Sequence, residues 1–147
     1  MLTSVVRTMN PLLFPKRCPE NALGRFVFTG EAEFGPQVVP NTTCPAGTLE
    51  FHLVQNTNVF FFQATGEQLY FTYTPGSVGC YDPTTNKFTG RFPGVFSGGT
   101  GRFAHATGAF EDDDVATFLA GDAKGHLYSA FFGTVTGTIK RVGEKED

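Results

Sequence analysis

Phenylalanine returns at every second position in the apolar runs of this chain, and that alternation is the strongest constraint on how it can fold. In GRFVFTGEAEF, residues 24–34, Phe26, Phe28, Ala32 and Phe34 take one parity, while Arg25, Thr29, Glu31 and Glu33 take the other. Period two marks an extended strand with one buried face, because successive side chains leave a strand on opposite sides. TLEFHLV, residues 48–54, repeats the pattern with Leu49, Phe51 and Leu53 set against Thr48, Glu50 and His52. In residues 87–99, Phe88, Phe92 and Phe96 share a side with Gly90 and Gly94. Seventeen Phe beside eighteen Gly suit strands joined by tight turns and packed closely in places.

The remaining segments extend the same reading. NVFFFQAT, residues 58–65, and GEQLYFTYT, residues 66–74, read as a hairpin about Thr65-Gly66-Glu67. Within the second of these, Tyr70 shares parity with Thr72 and Thr74, and Tyr73 with Leu69 and Phe71. Residues 106–121 read as a strand pair or one bent strand interrupted by acids, and 125–141 carry the longest strand signal. Residues 35–47 and 75–86 are rich in Pro, Asn and Gly and read as loops. Residues 98–108 read as a glycine turn, one helical turn around Phe103 and a return to strand. The expected fold is all-β, a single antiparallel closed or nearly closed barrel of about eight strands over residues 24–141. An N-terminal arm, residues 1–23, is broken by Pro11, Pro15 and Pro19, and residues 142–147 form a charged tail.

Charge and cysteine content narrow the function classes. The formal net charge is −3 and the basic residues are scattered, so the basic footprint of a nucleic-acid binder is missing. No stretch has the length of a transmembrane segment. Cys18, Cys44 and Cys80 match no compact zinc spacing. One disulfide with one thiol, or three thiols, fits equally, and localisation stays open between cytoplasmic and secreted with a leader removed. No cofactor or metal is implied. The run Glu111-Asp112-Asp113-Asp114 reads as a solvated turn whose charge discourages edge pairing.

PGVFSGGTGRFAHATGAF, residues 93–110, resembles the signature of the allene oxide cyclase-like barrel proteins, a calycin-like group related in form to the dirigent proteins. Gly98-Gly99-Thr100-Gly101, Phe103, Ala106 and Gly108 carry the likeness. GEQLYFTYT and SAFFGTVTGTIK extend it to about residues 24–141. The resemblance implies a barrel with a hydrophobic cavity, in which an unsaturated lipid-like or polyketide-like intermediate is cyclised or isomerised. It also implies a first-strand carboxylate, a place that Glu31 or Glu33 would take.

Four residues stand out as catalytic candidates. Glu31 and Glu33 lie one strand-step apart, and burial in a cavity would suit either for acid–base work. Glu50 and His52 have the same spacing and could form a charge pair or an acid–base dyad. Tyr70 could orient a ligand oxygen from a cavity wall. Each has a plainer reading as a solvated or satisfied side chain. Two function classes follow: a module that binds a small hydrophobic ligand or is purely structural, and a cyclase or isomerase. A homo-oligomer would use the Phe-rich strand around residues 59–62. The interior is the discriminator: if phenylalanines fill it, the catalytic and ligand-binding readings both weaken, whereas a hollow interior favours an enzyme with a buried Glu or Tyr near its floor and a binder with a purely apolar lining.

Overall fold

A computed structural model describes residues 5–7 and 26–141. The expected arm, residues 1–23, and tail, residues 142–147, lie outside the described residues, except for residues 5–7. Eight strands follow in chain order: β1 (Val5–Arg7), β2 (Phe26–Phe34), β3 (Leu49–Phe62), β4 (Gln68–Tyr73), β5 (Val78–Asp82), β6 (Lys87–Gly99), β7 (Gly108–Gly121) and β8 (Leu127–Gly137). A short 3-10 turn, Gly101–Phe103, sits between β6 and β7, where the glycine-rich segment predicts a helical turn.

All ladders are antiparallel, in the order β1-β2-β3-β4-β6-β7-β8. β5 also pairs with β3 and β6. The 14-residue β3 and 13-residue β6 are about twice the length of β4 and β5. The two short strands therefore lie end to end in one lane between the long ones. The TPGS turn, residues 74–77, joins them. Pro93 sits in β6 where β4 ends, and its carbonyl accepts the Thr74 N–H at 2.8 Å. The missing proline donor thus falls where that ladder finishes.

The expected closed or nearly closed barrel is not what forms. The ring of strands does not close evenly. β1 comes alongside β8, but among the described residues no hydrogen-bonded register joins them. Among the described residues β1 has three residues and β8 has eleven, so the described part of β1 spans only a fraction of the β8 edge. The product is an eight-stranded, strongly curved antiparallel sheet.

Its concave side holds the phenylalanines. Phe28, Phe60, Phe62, Leu69, Phe71, Tyr73, Phe88, Phe92, Phe96, Phe103, Phe110 and Phe131 are all buried. Their rings form a chain of contacts: Phe60 stacks on Phe71 at 4.2 Å, Phe62 on Phe103 at 4.8 Å and Phe96 on Phe110 at 4.8 Å. Tyr73 meets Phe71, Phe92 and Phe110 at 5.3–5.9 Å. Such pairs add about 0.5–1.5 kcal/mol each beyond burial itself. Glycines make room for them. A Cβ on Gly79 would fall inside the Phe88 ring, and one on Gly94 would strike Phe110. Phe60 and Phe62 point into this core, while Val59 and Phe61, on the other face of the run expected to serve an oligomer, are half-buried.

Two further expectations change. Residues 78–82 form β5 inside the predicted 75–86 loop. The acidic run is the middle of β7, paired with β6 and β8, and no turn interrupts it.

Phe71→Ala should destabilise the fold by about 3–5 kcal/mol, the usual cost of truncating a buried Phe. Thr72→Ala, one residue along and on the outer face, should stay within about 0.5 kcal/mol. Urea denaturation of the two variants checks the sidedness of β4.

Candidate functional site

The outer face of β2, β3 and β4 carries a groove of about 400 Å³. Antiparallel pairing builds it in rows. Thr29 of β2 lies opposite Val59 of β3, which lies opposite Tyr70 of β4. One step along, Glu31 lies opposite Thr57. Thr72 and Ser97, from β4 and β6, complete the rim. Tyr70 is 39% exposed. Its hydroxyl donates to Gln68 Oε1 at 2.9 Å, which holds the ring while leaving part of it open. The groove thus combines an apolar patch, Val59 with Tyr70, a row of hydroxyls and one carboxylate.

Two of the four predicted site residues, Glu31 and Tyr70, line this groove. The others lie apart. Glu33 is half-buried and accepts a 2.6 Å hydrogen bond from Gln55 Nε2. Glu50 is fully buried at the start of β3, beneath the loop of residues 41–45. Its Oε2 accepts the backbone N–H groups of Thr42 at 2.8 Å, Thr43 at 2.7 Å and Cys44 at 3.3 Å. Its Oε1 accepts the Thr42 hydroxyl at 3.1 Å and lies 2.8 Å from His52 Nε2. The Glu50–His52 pair read from the sequence therefore forms. Its carboxylate is occupied by backbone donors, which suits anchoring better than proton transfer. The loop is also tied covalently, through a Cys44–Cys80 disulfide.

Sequence reasoning missed a second polar group. Asp112 and Asp114 alternate with Phe110 and Ala116 on the buried face of β7. Tyr73 donates its hydroxyl to Asp112 Oδ2 at 2.5 Å. Gly133, opposite Asp114 on β8, leaves room for these acids: a Cβ there would collide with Asp114 Oδ1. The one signal available in the sequence was parity, since Asp112 and Asp114 stand in step with Phe110. Among the described residues, no three His, Cys, Asp or Glu side chains gather as a metal site, and no helix is long and apolar enough to cross a membrane.

The Thr43 backbone hydrogen bond, followed by the His52 side chain, lowers the Glu50 pKa from the ordinary 4.5 to about 2. A carboxylate depressed on folding stabilises the folded state above its unfolded pKa, and that contribution is lost as pH falls through the folded value. Thermal stability should therefore fall between about pH 5 and pH 2. Glu50→Gln should lower the melting temperature at neutral pH and make this acid limb shallower. Melting curves across that range, wild type against variant, read both effects.

No family model matches the chain, no curated protein matches it, and no solved structure matches it. The resemblance of residues 93–110 to the allene oxide cyclase-like, calycin-like barrels is thus overturned, together with the cyclase and isomerase activities it implied. The motif here turns the chain from β6 into β7 and buries Phe103 at the sheet's end.

Proposed function

We propose that the chain is a binding module whose ligand site is the outer groove, not the interior. One observation carries this reading: the concave side is occupied by the protein's own rings, while the groove leaves Val59 and the Tyr70 ring open beside hydroxyls and Glu31. Small-ligand sites commonly have this make-up, an apolar surface with a few polar groups, in volumes of about 300–1,000 Å³. The ligand class that fits is a small, flat, largely apolar molecule carrying a hydroxyl. Its face would lie against Tyr70 and Val59, and its hydroxyl would donate to Glu31. In this reading Glu31 and Tyr70 are ligand-contacting residues.

A second reading, a purely structural module, draws support from the same filled interior and from the disulfide. The two readings separate on one titration. 2-Naphthol added to isotope-labelled protein should shift the backbone amide signals of Thr29, Val59 and Thr72. Its Kd should be roughly millimolar, as expected for a ligand of this size with modest efficiency. Tyr70→Ala should weaken binding about tenfold or more, and Glu31→Gln by less. Absence of shifts, or shifts confined to the buried rings, would leave the structural reading in its place.

A further inference from the structure

Glu50 and the disulfide hold the same short loop from the same place. In the β3–β5 ladder Glu50 stands directly opposite Cys80. The Glu50 carboxylate reaches over the loop and binds three successive backbone N–H groups, the last of them that of Cys44. Cys44 is bonded to Cys80. Other contacts shape the loop without the sulfurs. Asn41 Oδ1 accepts the Cys44 N–H at 2.9 Å, Asn41 Nδ2 donates to the Thr48 carbonyl at 3.1 Å, and the Val38 N–H donates to the Glu50 carbonyl at 2.9 Å.

We propose that Glu50 is a positioning residue for oxidative folding, a template that docks residues 42–44 and sets the Cys44 thiol against Cys80. The chain has a third cysteine, Cys18, so pairing must be selected. Bringing two reacting groups into a fixed geometry raises their effective concentration far above that of a flexible chain, which is of millimolar order. The reaction balances with glutathione disulfide as oxidant. One protein thiolate attacks glutathione disulfide, forming a mixed disulfide and expelling one glutathione thiolate. The second protein thiolate attacks the protein sulfur of that mixed disulfide, forming the Cys44–Cys80 bond and expelling the second glutathione. The two protons lost by the protein thiols end on the two glutathiones.

The first measurement uses the reduced wild-type chain. Its Thr42, Thr43 and Cys44 amides should stay protected from hydrogen exchange, because Glu50 holds them without the covalent bond. A reduced chain that does not fold, or that exchanges these amides freely, overturns the proposal. The second measurement is the effective concentration of Cys44 and Cys80 in glutathione buffers, with pairings read by mass spectrometry. Glu50→Ala should lower it at least tenfold and raise the share of Cys18-containing pairs, and Glu50→Gln should fall between. Phe103→Leu, a core change remote from the loop, separates positioning from general stability and should leave the value unchanged. Equal losses in Phe103→Leu and Glu50→Ala would sink the idea.

Discussion

Large rings and absent side chains share the concave face of this sheet, and neither could be there without the other. Phe88 lies where a Cβ of Gly79 would stand, Phe92 crowds that of Gly90, and Phe110 that of Gly94. Interiors pack at crystal-like density, so a ring this size needs a neighbouring position with nothing on it. Gly79, Gly90 and Gly94 are thus the counterpart of the rings, while Gly47, Gly66 and Gly76 serve turns at positive φ. The rings fill that concave side, so closing the ring of strands is not needed to bury the core.

The interior tolerates acids only where they are held. Asp112 is bonded by the Tyr73 hydroxyl, and Tyr73 is itself fixed among Phe71, Phe92 and Phe110. A buried carboxylate without donors would be strongly destabilising. Glu50 solves the same problem differently, through loop backbone N–H groups, and thereby fastens the loop. The disulfide ties that loop independently of pH, and the carboxylate ties it independently of redox state. Neither acid alone nor a reductant alone removes both restraints.

Much of the strand pattern could be read from the chain. The parity of Leu69, Phe71 and Tyr73 against Tyr70 and Thr72 gave β4 its correct sides, and Phe88, Phe92 and Phe96 did so for β6. The misreadings occurred where polar residues obey the pattern. Asp112 and Asp114 keep core parity, yet charge argued for solvent, because the Tyr73 donor is 39 residues away in sequence. Residues 55–57 lie between two runs read separately, 48–54 and 58–65, but β3 runs through them. Asn56 there bonds the Tyr73 backbone through both ends of its amide, at 3.0 and 2.7 Å. β5 was hidden because VGCYD is short and flanked by turn residues. For Glu50 the His52 partner was legible at a spacing of two, whereas the three loop donors depend on a fold back across the strand. Whether β1 and β8 pair is set by how two distant segments meet, which no local pattern reports.

These two faces also differ in how freely they can change. On the inner side, a ring over a glycine fixes both positions, and adding or removing a methyl group is felt as a clash or a cavity. On the outer side, Thr29, Glu31, Val59, Tyr70 and Thr72 project from strands whose register is already set from within. Their identities can vary without disturbing the rings beneath them. A groove built from such positions is rigid in its backbone and free in its chemistry. Recognition of a small molecule needs that combination, since a preorganised site loses little conformational entropy on binding. On the binding reading proposed above, the filled interior does more than exclude a ligand from the inside: it supplies the stiffness on which the proposed outer site rests.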